Sequence, residues 1–130
     1  LQLFWVNRFQ RVAQAGFPDL AYAMLDFGVN SGEGRPAEAL QRALNALNQR
    51  QALWADIAVD GGIGPITIRA LEAAGHTLGD EAEDLLSFTV NCLRVAFIIN
   101  LAERSESQEV FVKGWLRRMR SVSLATIGKA

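Results

Sequence analysis

A chain of 130 residues, half of them hydrophobic, is long enough to bury one core and too short for two. Thirteen basic against fourteen acidic residues leave a net charge of −1, which excludes a whole-chain field that would gather nucleic acid or an anionic membrane. The single cysteine, Cys92, excludes a disulfide within the chain, so packing must supply the stability and the compartment stays open.

Residues 2–15 set Leu3 or Phe4, Val6, Phe9, Val12 and Ala13 at helical spacings, with Asn7, Arg8, Arg11 and Gln14 between them, so an amphipathic helix is expected. No charged and apolar leader precedes it, and the start at Leu1 reads as a cut inside a larger protein. Gly16 ends this helix, and Pro18 followed by Asp19 starts the next. Along 18–32, "PDLAYAMLDFGVNSG", the residues Asp19, Tyr22, Asp26 and Asn30 fall in one stripe about 80° wide, and apolar side chains cover the rest. A helix so apolar is mostly buried, and its thin polar edge faces solvent, a groove or a buried partner.

"SGEGRP" (31–36) reads as a turn, and 37–54 repeats Leu40, Ala43 or Leu44, and Leu47 as a helical stripe with Gln, Arg and Asn outside. "VDGGIGPITIRAL" (59–71) then concentrates three glycines and a proline. Gly61, Gly62 and Gly64 permit a tight reversal, Asp60 can accept from its own turn amides, Gly64 reads as an N-cap, Pro65 as the first helical residue, and Thr67 lies in the first turn. Ile63 and Ile68 take the positions of a hydrophobic staple. By these features the motif is a structural entry turn into a fourth helix, which Gly75 closes.

A long central helix over 80–104 follows, then the polar "RSESQ" turn and a last helix over about 108–123 with Phe111, Trp115, Met119 and Val122 on one stripe. Residues 85–102 are apolar enough to suggest a membrane span, but Arg94 at the middle would cost about 2.5–3.5 kcal/mol there, so a buried helix inside a soluble bundle is the better reading. The acidic "GDEAED" (79–84) and the basic Lys113, Arg117, Arg118, Arg120 and Lys129 read as solvated helix ends. No alternating run supports a strand; 55–59 is at most a short extended piece. The fold class expected is all-α.

Little catalytic chemistry survives inspection. "GEGRPA" (32–37) follows a helix, not the strand a dinucleotide motif needs; His76 and Cys92 are too few for a metal site; Trp54 could stack on a sugar but reads as core. No cofactor is expected. Asp26 and Glu33 are the only carboxylates near a plausible groove, so a two-carboxylate glycosidase is conceivable.

Taken together, "DLAYAMLDFGVNSGEGRPAEALQRALN", "VDGGIGPITIRAL", Arg94 and Phe97 in the long helix, and "FVKGWLRRM" resemble the glycoside hydrolase family 108 lysozymes with their C-terminal predicted peptidoglycan-binding region. The resemblance covers nearly the whole chain, 1–54 matching the rear of the catalytic region and 55–130 the peptidoglycan-binding region. It implies a lysozyme-like bundle of about six helices, a peptidoglycan substrate, a cell-wall or periplasmic site of action and, in the intact enzyme, muramidase activity. The family's catalytic glutamate sits in an N-terminal Glu-Gly-Gly helix; here the only Gly-Gly pair is Gly61-Gly62, after Asp60, so no residue inherits that role.

Three expectations follow. The first is a glycan-contacting part of a muramidase, with Tyr22, Asp26, Asn30 and Ser31 lining a saccharide groove. The second is a self-sufficient glycosidase using Asp26 or Glu33. The third is a non-enzymatic module of a phage or secretion system that docks through the basic last helix.

Overall fold

Burial of Phe9 and Val12 fixes how the first helix enters the core: the computed structural model describes residues 9–128, apart from the side chains of Asn30 and 122–128, and opens on α1 over 9–14. The expected positions Leu3, Phe4, Val6, Asn30 (as a side chain), Val122 (as a side chain) and Lys129 lie outside the described residues. α1 ends at Gly16 with φ +102°, where the Gly16 N–H donates to Ala13 O and the Phe17 N–H to Val12 O, the paired bonds of a Schellman cap. Five further helices follow: α2 (Pro18–Ser31), α3 (Gly34–Leu47), α4 (Pro65–Leu78), α5 (Glu81–Arg104) and α6 (Glu109–Gly128), the last entered by a short 3-10 turn. The fold is all-α, and no strand occurs among the described residues.

α2 starts at Pro18, whose missing N–H is no loss at N1, but Phe17 at the N-cap supplies no side-chain acceptor. The acceptor arrives from α5: Glu83 Oε2 takes the N–H groups of Asp19 and Leu20 at 2.8 and 3.0 Å. The acidic run 79–84 is therefore not only a solvated end; one of its carboxylates caps another helix and meets its positive dipole end.

α3 begins at Gly34 and not after Pro36, because a proline in the first turn sacrifices no helical bond. It also stops at Leu47, short of the 54 that periodicity suggested, since Gln49, Arg50 and Gln51 all turn left-handed with φ of +52°, +60° and +65°. Asn48 holds that turn, accepting the Gln51 N–H at Oδ1 and donating through Nδ2 to Asp56 Oδ1 at 2.6 Å. Gly75 does not close α4 either. The helix runs to Leu78 and is capped at Gly79, φ +62°, while Gly75 lies inside it because the Phe17 ring would stand 3.1 Å from a Cβ there.

One apolar cluster joins α1 to α5, with Leu20, Met24, Leu40, Leu44, Leu71, Leu86 and Val90 fully buried, each leucine worth about 1.5–3 kcal/mol of transfer free energy. Trp54 belongs to this core, its indole N–H donating to Leu44 O at 3.0 Å. α5 is long and apolar enough to cross a membrane by length and composition, and here it packs against α2, α3, α4 and α6.

Candidate functional site

The polar face of α3 organises the site. Gln41, Asn45 and Asn48 recur at helical spacing, which sequence periodicity assigns to the outside; instead they turn onto the loop that follows Trp54. Asn45 pairs with the backbone of Ile57 both ways, Oδ1 accepting its N–H at 2.8 Å and Nδ2 donating to its carbonyl at 2.9 Å. Gln41 is buried and does more. Its Oε1 accepts the N–H groups of Asp60 and Gly61, and its Nε2 stands 2.9–3.1 Å from Asp60 Oδ1, Gly62 O and Thr67 Oγ1.

The glycine motif is thus a turn clamped to α3 by one amide. Asp60 Oδ1 also accepts the Gly62 N–H at 2.9 Å. That bond and the Gln41 amide hold the Asp60 carboxyl below its ordinary range, since both favour the charged form. Of the three glycines only Gly61 adopts a positive φ, +76°; Gly64 is extended as the N-cap of α4, with Pro65 at N1. Ile63 and Ile68 both lie half-buried against the core, and Thr67 is buried.

Clamping the loop places Val59 beside α3 and makes the wall of an open groove of about 210 Å³. α3 contributes Arg35, Glu38 and Arg42; α5 contributes Leu93, Phe97 and Asn100; Phe27 of α2 closes the floor. The Arg35 guanidinium lies 5.4 Å from the centroid of the Phe97 ring, which is itself tilted against Phe27 at 5.8 Å. No ion pair joins Arg35, Glu38 or Arg42 to another described residue. A shallower depression of about 340 Å³ lies between α1 and α4, around Arg11 and Glu72.

The polar stripe of α2 is dispersed by tertiary contacts. Tyr22 is 52% exposed, whereas Asp26 is 7% exposed and carries two arginines. Arg94 Nη1, fully buried, donates to Asp26 Oδ2 at 2.6 Å; Arg118 of α6 donates to Oδ1 through Nε at 2.8 Å, with Nη2 also at 2.8 Å. The Asp26 carboxylate raises the Arg118 pKa by hydrogen bond and charge together. Ser31 spends its hydroxyl on its own helix end, donating to Phe27 O at 3.1 Å with Gly32 O at 3.0 Å. Asp26 is accordingly a fastener between α2, α5 and α6, not an open acceptor in a groove.

Periodicity alone did not point to Gln41, Arg35, Glu38, Arg42 or Asn100, because it sorts polar from apolar and not wet from loop-facing. The one available signal was the recurrence of amides at 41, 45 and 48 on a single helical face. On α6, Phe111 is exposed and stacks on half-buried Trp115 at 5.6 Å, so the stripe expected there is only partly covered. Among the described residues no three His, Cys, Asp or Glu side chains gather to hold a metal.

Residues 35–120 match the family model described as a predicted peptidoglycan domain. No curated protein matches the chain. The matched span opens on Arg35 and takes in the groove's α3 and α5 walls, the clamped loop and the start of α6 up to Arg120.

Proposed function

Because this chain belongs to the predicted peptidoglycan domain family, we propose that it binds peptidoglycan and that the groove between α3, α5 and the 56–62 loop makes the contact. The observation that carries the assignment is coincidence of place: the family span begins at the first arginine of the groove and encloses all of its walls except Phe27. At about 210 Å³ the groove is below the roughly 300 Å³ of a typical small-molecule pocket, which suits one unit of a polymer that continues past both ends.

We further assign the chain to a muramidase resembling the glycoside hydrolase family 108 enzymes, as a region that keeps the enzyme on its polymer. The support is the ordered set of motifs from "DFGVNSG" through "DGGIGPIT" to "GWLRRM". Tyr22, by its exposure, makes a separate sugar contact in this proposal, with Asp26 and Arg118 setting the edge it stands on. A self-sufficient glycosidase built on Asp26 is the less favoured reading, since Asp26 is buried, lies outside the groove lining and has both oxygens bound by guanidiniums.

Co-sedimentation with purified sacculi tests the reading. The native chain is retained, and Arg35→Ala with Arg42→Ala, both exposed side chains, releases it while circular dichroism keeps its helical signal. Equal retention of that double variant removes the groove from the proposal.

A further inference from the structure

The groove's chemistry identifies which part of peptidoglycan it meets. Resting on the peptidoglycan-binding reading above, we propose that it takes the peptide stem, through that stem's carboxylate and amino groups, and not the sugars of the glycan strand.

Sugar sites present an open aromatic face and neutral or acidic hydrogen-bonding groups. This groove has neither in usable form. Phe27 is fully covered, and the Phe97 ring carries the Arg35 guanidinium on its face, where a pyranose would have to lie. The two aromatic rings of the groove therefore act as a platform for a cation. A guanidinium held over a ring still has N–H groups to offer, in the fork geometry that matches a carboxylate in two parallel bonds.

The charges also have an order. Arg35, Glu38 and Arg42 lie on one face of α3, a row of plus, minus, plus. At 1.5 Å per residue the two arginines are about 10 Å apart along the helix, with Glu38 between them. An extended peptide covers that distance in about three residues. Stem peptides carry free carboxylates on either side of a diamino acid's side-chain amine, which is the complementary row of minus, plus, minus. Hydroxyls and acetamido groups of the glycan strand offer no charge to pair with any of the three. Asn100, exposed across the groove on α5, supplies an amide for the peptide backbone.

Three soluble probes decide the matter in competition with sacculi: the stem tripeptide L-Ala-γ-D-Glu-diaminopimelate, the same peptide acetylated on its side-chain amine, and sugar oligomers of the strand with their lactyl groups capped as methylamides. The tripeptide competes and the capped oligomers do not. Arg42→Gln weakens the tripeptide about tenfold or more, as loss of a charge-assisted bond does. Acetylation weakens binding to the native chain but leaves Glu38→Gln unaffected, which separates direct recognition from a change in folding. If the capped oligomers compete and the tripeptide does not, the stem assignment is overturned while peptidoglycan binding stands. If sacculi never retain the native chain, the binding reading itself falls and takes this inference with it.

Discussion

Asp26 is held by two arginines of very different burial, and that difference predicts two very different mutational costs. Arg94 is 0% exposed and Arg118 is 61% exposed, yet their distances to the carboxylate are similar, 2.6 and 2.8 Å. Asp26→Leu removes a hydrogen-bonded carboxylate from a fully buried guanidinium, a change that costs about 3–5 kcal/mol. Arg118→Gln breaks only a solvent-screened pair, worth about 0.2–1 kcal/mol. Urea unfolding followed by circular dichroism measures both, and an unchanged slope confirms that the same surface is being exposed. In thermal unfolding the first variant should melt lower by roughly 10–20 °C and the second by no more than about 5 °C. Asp26→Leu with Arg94→Met, which removes both buried charges, should recover most of the loss, because an apolar pair of similar volume replaces a buried ion pair at little cost. Equal costs for Asp26→Leu and Arg118→Gln, or no recovery in the double variant, would refute the account of Asp26 as a buried counter-charge to Arg94.

Other consequences are local. Gly61→Ala should destabilise by about 1–2 kcal/mol through its φ of +76° alone, since an added Cβ meets neighbours only at 3.5 Å or beyond, whereas Gly62→Ala is neutral or slightly stabilising; equal effects on chemical denaturation midpoints would contradict this. Gln41→Glu sets a carboxylate against Asp60 Oδ1 and Gly62 O, now 2.9 and 3.0 Å from the amide nitrogen, and should cost about 2–3 kcal/mol at neutral pH, more than it costs in mild acid. Glu83→Ala uncaps α2 and should cost about 1 kcal/mol, with faster hydrogen exchange at the Asp19 and Leu20 amides. Asp60 has a lowered pKa in the folded chain, so its stabilising effect is complete above the ordinary carboxylate range and is lost as pH falls through the lowered value; the Gly62 amide resonance should move at a lower pH than the neighbours of the exposed carboxylates do.

Local chemistry made much of this protein legible from the chain alone. Helix starts at Pro18 and Pro65, the stop at Gly16, the extent of α5 and the turn bonds of Asp60 each depend on residues within a few positions of one another, and those rules hold wherever the segment is placed. Where a neighbour from far along the chain intervenes, the local reading gives way. Gly75 looked like a helix end until the Phe17 ring occupied the space above it, and three amides of α3 looked solvent-facing until a loop folded over them. The Asp26 stripe dissolved for the same reason, its partners being 68 and 92 residues away. Periodicity reports that a residue is polar. Only tertiary structure decides whether that polarity meets water, backbone or an opposite charge, because burial is a property of the whole packed assembly and not of any stretch within it.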